Sequence, residues 1–161
     1  MTYKVEAIGF VKAKRVVKED DFWGNEQSFI KLSGRFTESA LQGIEQFSHI
    51  EVLFLFHQVV ESAIVEGARH PRNNKTWPQV GIFAQRVKYR PNRIGSTICR
   101  LLSVSGTQLT VSELDAIDGT PILDIKPVMS AFLPRETVCQ PQWADEIMQN
   151  YWLTKKLEEG S

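Results

Sequence analysis

The stretch Ile94-Gly-Ser-Thr-Ile-Cys-Arg-Leu-Leu-Ser-Val-Ser-Gly106, continued by Leu109-Thr-Val-Ser-Glu-Leu-Asp-Ala-Ile-Asp-Gly-Thr-Pro-Ile-Leu-Asp-Ile-Lys126, decides the fold class. Ile98 to Val104 and Leu109 to Ile117 are both rich in β-branched and aliphatic residues, and Ser105-Gly106 supplies a turn between them. Asp118-Gly119 is a strong hairpin signal, and Pro121 to Lys126 adds a further strand. The expectation is a three-stranded antiparallel meander. The apolar phase slips between Val111 and Leu114, which predicts a β-bulge there.

Similar segments recur on either side. Tyr3 to Val11 reads as a first strand and Ser28 to Leu32 as a short second one. Between them lie a charged loop, Lys12 to Asp21, and an aromatic turn, Phe22-Trp23-Gly24-Asn25. Thr37 can cap a short helix, along which Ala40, Leu41, Ile44 and Phe47 fall at helical spacing. His49 to Val60 is a dense run of β-formers and reads as a buried strand. Ala68 to Val80 is punctuated by Pro71, Asn73, Asn74 and Pro78 and reads as loop. Val80 to Val87 is another strand candidate, and Pro91 forces a turn at Arg90-Pro91-Asn92.

Pro141 can open a C-terminal helix over about 141–157. Trp143, Ile147, Met148, Tyr151 and Trp152 would lie on one broad face of it, packed on the domain or against a second copy. Many short strands, one short helix and a terminal helix make the chain mainly β. A single antiparallel β-barrel is the natural closure, because it hides strand edges.

The bulk numbers agree with one domain over residues 1–161, its core spanning 3–135. At 42% hydrophobic and 24% charged, the composition is that of a globular chain. Nineteen basic residues balance nineteen acidic ones, so nucleic-acid contact would need a local patch rather than a global excess. The N-terminal segment carries Lys4 and Glu6 and does not read as a signal peptide, and Val52 to Phe56 is too short to span a bilayer. The chain reads as cytoplasmic.

Standard motifs exclude several chemistries. There is no GxGxxG after a strand, no Walker loop and no GxSxG elbow. His49, His57 and His70 fall at no zinc-ligand spacing, and Cys99 and Cys139 form no CxxC pair, so no metal is expected.

Three segments narrow the reading: Phe47-Ser-His-Ile-Glu-Val-Leu-Phe-Leu-Phe-His57; Val80-Gly-Ile-Phe-Ala-Gln-Arg86 with Arg90-Pro-Asn-Arg-Ile-Gly95; and Asp115-Ala-Ile-Asp-Gly-Thr-Pro-Ile-Leu-Asp-Ile-Lys-Pro127. Together, over about Ile8 to Pro127, they resemble the TsaA-like domain family. That family is typified by the methyltransferase acting on threonylcarbamoyladenosine in tRNA. The resemblance implies a β-barrel, S-adenosyl-L-methionine as methyl donor, and a homodimer with the cofactor site near the subunit interface. It also implies N-methylation of a tRNA nucleobase or of another nitrogen acceptor.

The resemblance also implies a set of cofactor-binding residues. His57 and Gln58 match a contacting pair at a strand end; a histidine merely hydrogen-bonded at a strand terminus is the bland alternative. Arg86 closes the Phe-Ala-x-Arg motif and can grip the cofactor's carboxylate, or make a surface ion pair. Arg90 and Asn92 match Arg-Pro-Asn. Gly95 and Ser96 match a place where backbone approaches the adenosyl group. Ser112, Glu113, Leu114 and Asp115 match the stretch entering Asp-Gly-Thr-Pro, with Asp115 able to accept from ribose hydroxyls or the adenine amine. Asp115 and His57 are the candidates for a general base. Asp124 and Lys126 are expected to pair with each other.

Departures from the family pattern bear on the acceptor. Asp20-Asp21-Phe22-Trp23 stands where the tRNA enzymes have Pro-Arg-Gln, and Trp23 can lay its ring against the sulfonium or plug the barrel. Val128 replaces a tyrosine. Arg69-His-Pro-Arg72, with Asn73, Asn74, Lys75 and Trp77, is a basic and aromatic loop able to act as a lid. Two other readings stand beside the enzyme: a non-catalytic S-adenosylmethionine-binding module, and a barrel without cofactor.

Overall fold

Alternation of inward, mostly apolar residues with outward ones shapes the barrel wall. The computed structural model describes residues 1–156. Its strands are β1 (Gly9–Lys12), β2 (Gln27–Leu32), β3 (His49–Leu55), β4 (Ala68–Arg69), β5 (Val80–Gly81), β6 (Ile94–Ser105), β7 (Gln108–Ser112) and β8 (Pro121–Pro127). Six of them close an antiparallel barrel in the order β1-β2-β7-β6-β3-β8, and β4 and β5 form a separate small hairpin. Every second residue of β3 (Ile50, Val52, Phe54) points inward and is buried. These residues meet Val11, Ile30, Leu32, Leu109, Val111, Ile122 and Cys99 in one core. Closure leaves no free edge in the barrel.

The expected meander holds only in its first half. β6 and β7 pair across the Ser105-Gly106 turn, where Gly106 has φ +60°. β8 does not pair with β7; the connection between them crosses the barrel mouth, and β8 lies between β1 and β3. Asp118-Gly119 does turn, with Gly119 at φ +78°, but the turn docks on the end of β1. Gly119 donates to the Val11 carbonyl (2.8 Å), and Ala13 N–H donates to the Asp118 carboxylate (2.9 Å).

The phase slip after Val111 is real but takes another form. β7 stops at Ser112 because Glu113 adopts φ +67°, and Leu114 and Ala116 then turn back into the core. The irregularity sits on the partner strand, where Leu101 pairs with Val111 and Ser103 with Thr110, leaving Leu102 unpaired.

Other boundaries shift as well. The first strand is Gly9–Lys12, not Tyr3 to Val11, and Met1 to Glu6 are exposed. The Thr37 segment forms two 3-10 turns, Glu38–Leu41 and Ile44–Gln46, split by Gly43 at φ +86°. The buried strand ends at Leu55 rather than Val60. Val80 to Val87 is not a strand: after Val80–Gly81 it forms a 3-10 turn at Ile82–Ala84.

The C-terminal helix α1 covers only Gln142–Met148, with Pro141 at its N-cap rather than N1. Residues 149–156 continue as turns and irregular chain, and residue 157 of the expected helix lies outside the described residues. Among the described residues, no helix is long and apolar enough to cross a membrane.

Candidate functional site

The strand registers sort the connecting segments into two ends of the barrel. Lys12 pairs near Phe29, Gln27 opposite Ser112, Leu55 opposite Ile94, and Phe10 opposite Pro121. Residues 12–27, 55–94 and 112–121 therefore meet at one end. All of Trp23, His57, Gln58, Arg86, Arg90, Asn92, Gly95, Ser96 and Ser112 to Asp115 belong to this end. Backbone strain gathers there too. Among the described residues, the non-glycine positions with positive φ are Phe22, Asn25, Arg72, Asn73, Arg93 and Glu113. Each lies in one of these three segments. Such conformations cost about 1–3 kcal/mol each and cluster at functional sites.

Asp115 is the focus of this end. It sits on the segment crossing the barrel mouth, outside any strand. Thr97, inward on β6, donates its hydroxyl to Oδ1, and Tyr151 donates its phenol to Oδ2. Burial and the Asp115 charge push the Tyr151 phenol well above the ordinary tyrosine range, against a smaller opposing pull from Arg86; Asp20 adds a small upward push. Asp20, Arg86, Asp115 and Tyr151 thus share one electrostatic environment. Burial, with Asp115 and then Glu113, also pushes the Cys99 thiol up to about 12.

Arg86 is exposed and gives one N–H to the Ser96 carbonyl (2.5 Å). Its other donors have no partner among the described hydrogen bonds, so it can still grip an anion. Arg90 instead turns inward on its own loop, donating to the Gln85 carbonyl (2.7 Å). Asn92 and Gln58 are exposed. His57 follows β3 and approaches the Asp118-Gly119 turn; a side chain at 119 would come within 4.0 Å of Nε2.

Gly95 is bare for a reason inside the barrel wall: a Cβ there would meet the Phe54 ring at 2.5 Å. Ser96 points outward and donates to Glu51 (2.8 Å). Leu114 is sealed in the core, so only its backbone reaches the site, and Ser112 is buried. Asp124 and Lys126 pair at 2.5 Å.

Trp23 is buried, and the cation on its ring is the protein's own. The Arg15 guanidinium lies 3.7 Å from the ring centroid. Arg15 also pairs with Glu26 (2.6 Å) and donates to the Asp21 and Phe22 carbonyls (3.1 and 2.6 Å). It is the organiser of the early loop. Arg72 ties the basic loop to the same place through two bonds to Asp21 (3.1 and 2.8 Å).

Sequence reasoning missed Tyr151, Thr97 and Arg15. Thr97 left one trace, a hydroxyl in the inward phase between Gly95 and Cys99. Tyr151 leaves none, since its spacing suits the apolar face of a helix that in the structure ends at Met148. Among the described residues, no group of three or more His, Cys, Asp or Glu is placed to hold a metal ion.

Comparison with known proteins places the chain in a family. The tRNA (adenine(37)-N6)-methyltransferase of Homo sapiens is 39% identical over 113 residues, covering 70% of this chain and 25% of that protein. A putative S-adenosylmethionine-dependent methyltransferase, RcsF of Pseudomonas aeruginosa, is 37% identical over 138 residues, 79% of this chain and 57% of that one. The chain thus spans between a quarter and three-fifths of these relatives. The crystal structure of TrmO from Pseudomonas aeruginosa superposes with a TM-score of 0.66 at 31% identity, covering 86% of this chain and 61% of that chain. The family described as tRNA-methyltransferase O N-terminal domain matches residues 10–132, most of the chain, and the protein belongs to that family.

Proposed function

We propose that the protein is an S-adenosyl-L-methionine-dependent methyltransferase acting on an adenine nitrogen of tRNA. The observation that carries this reading is the meeting of Arg86 and Asp115 at one strained barrel end. A guanidinium with free donors suits the cofactor's carboxylate. A carboxylate with unused lone pairs suits ribose hydroxyls or the adenine amine. The donor set present therefore fits the cofactor. When bound, S-adenosylmethionine supplies a methyl group already activated on sulfur. The chain's own task is to hold and orient the two partners and to exclude water. Asp115 and His57 remain the candidates for accepting the acceptor's proton.

The relatives named as tRNA (adenine(37)-N6)-methyltransferases support tRNA as acceptor and a cytoplasmic setting; threonylcarbamoyladenosine is the finer choice that the family resemblance implies. The homodimer is supported by an apolar strip on the outer wall. Ile94, Ile98 and Leu102 of β6 are exposed, with Arg100 exposed between the last two, and Ile98 lines a groove with Met129, Phe132 and Leu133. Ser96, whose carbonyl holds Arg86, lies between Ile94 and Ile98 on that face.

A second reading is a binding module without turnover. A Pyrococcus abyssi relative, 37% identical over 110 residues, is named only as a probable S-adenosyl-L-methionine-binding protein. Calorimetric titration of the stripped protein with S-adenosylmethionine, with ATP as control, tests the shared step. Selective saturable binding is expected, and Arg86→Ala should weaken it by about 1.5–3 kcal/mol, the range for a charge-assisted hydrogen bond. Methyl transfer from labelled cofactor to unfractionated tRNA then separates enzyme from module.

A further inference from the structure

We infer that Tyr151, from the C-terminal segment, is a positioning residue of this site: its hydroxyl fixes the Asp115 carboxylate so that the remaining lone pairs face the ligand. The inference rests on the methyl-transfer reading and deepens it.

Asp115 needs such a hold. It lies on a segment with no strand partner, so nothing in the barrel ladder fixes its orientation. Thr97 takes one oxygen and Tyr151 the other. An ionised carboxylate can accept about four hydrogen bonds, so both hydroxyls are served and capacity remains.

The segment that brings Tyr151 is itself built in. Phe22, Trp23 and Gly24 donate their backbone N–H groups to the carbonyls of Asn150 (3.2 Å), Tyr151 (2.8 Å) and Leu153 (3.3 Å). Gly24 must be bare for this, because any Cβ would strike the Trp152 carbonyl. Further along, Asn25 donates to the Thr154 hydroxyl (3.2 Å) and Lys155 pairs with Glu19 (3.3 Å). Upstream, Trp77 donates from Nε1 to Glu146 (2.6 Å), which joins α1 to the basic loop. The docking surface is the early loop that departs from the family pattern, and Tyr151 lies beyond the matched residues 10–132. The tail supplies from outside the family core a group that acts on an Asp inside it.

The test is a double-mutant cycle on the full chain, read as the dissociation constant for S-adenosylmethionine. Tyr151→Phe removes only the hydroxyl and keeps the ring on Trp152 (4.9 Å, edge to face). It should weaken binding on the order of tenfold, the loss of one hydrogen bond to a charged group. In an Asp115→Asn background the same change should have little further effect. Gly24→Ala, which undocks the tail, should reproduce the loss seen with Tyr151→Phe. Wild-type binding matched by Tyr151→Phe, or an equal loss in both backgrounds, would overturn the inference. A wild type that binds no cofactor would remove the methyl-transfer reading and this inference together, and is told apart by the wild-type titration alone.

Discussion

Single residues at this barrel end each serve a neighbour that the linear sequence hides. Gly95 exists for Phe54. Gly95→Ala should destabilise the fold by about 1–3 kcal/mol through overpacking, read as a lower urea midpoint. An unchanged midpoint would mean that the Phe54 ring can step aside. Cys99 and Cys139 make a matched contrast, one buried and one exposed. The thiol of Cys99 has its folded pKa raised from 9.0 to about 12, chiefly by burial. Below the unfolded value both states keep the proton, and the full stability is present. As pH rises toward the folded value, the unfolded chain sheds a proton that the folded chain retains. Stability then falls, by about 1.4 kcal/mol per unit from this group. At about pH 8, where exposed thiols react as thiolates, the native protein should titrate one cysteine with a thiol reagent. Urea should release the second. Two reactive thiols in the native state would show that the core around Cys99 opens readily.

At the scale of elements, legibility followed how local each signal was. The hydrophobic runs of β3, β6 and β7 were legible because alternation is written within each strand. The Asp118-Gly119 turn was legible as a turn, yet its chemistry says nothing about which strand lies across from it. Val11, Ala13 and Arg15 decided that by taking the turn onto β1. The left-handed conformation at Glu113 was illegible, since no glycine marks it. It is held by its N–H on the Glu26 carbonyl (2.8 Å) and by its carboxylate receiving Asn25 N–H (3.3 Å). The apolar residues of the tail suit a long amphipathic helix, but α1 stops at Met148. Its last turns give up helix geometry so that their carbonyls accept from the N–H groups of Phe22, Trp23 and Gly24. Hydrogen exchange can test that exchange of partners. The amides of Trp23 and Gly24 should be protected in the native chain and lose protection in Gly24→Ala, while β3 amides stay slow. Fast exchange at Trp23 in the wild type would show the tail undocked in solution.

For the whole molecule, the candidate site was legible only through motif resemblance, because its parts come from segments that sequence distance keeps apart. Barrel closure brings residues 12–27, 55–94 and 112–121 to one rim, and no local pattern announces that closure. The same closure fixes what the outer wall must do. With no barrel edge left to pair, any association through the barrel wall has to use a face. The candidate is the wall of β6, β3 and β8. There Ile94, Ile98 and Leu102 run along one strand, and Met129, Phe132 and Leu133 flank a groove that also contains Glu51 and Lys126. Phe132 is 87% exposed, an unusual fate for so large an apolar ring. A twofold contact would cover both copies' strips at once and bring the partner beside Ser96, hence beside Arg86. Sedimentation at micromolar concentration should give about twice the 18.4 kDa chain mass. Ile98→Asp should shift it to a monomer, because a carboxylate buried in an apolar interface is left unpaired. Since Ile98 points away from the core, its melting transition should stay cooperative. If the site borrows shape from the partner, cofactor binding should weaken in the monomeric variant. A wild type already sedimenting at 18.4 kDa would instead assign the apolar strip to another partner and leave each barrel rim to work alone.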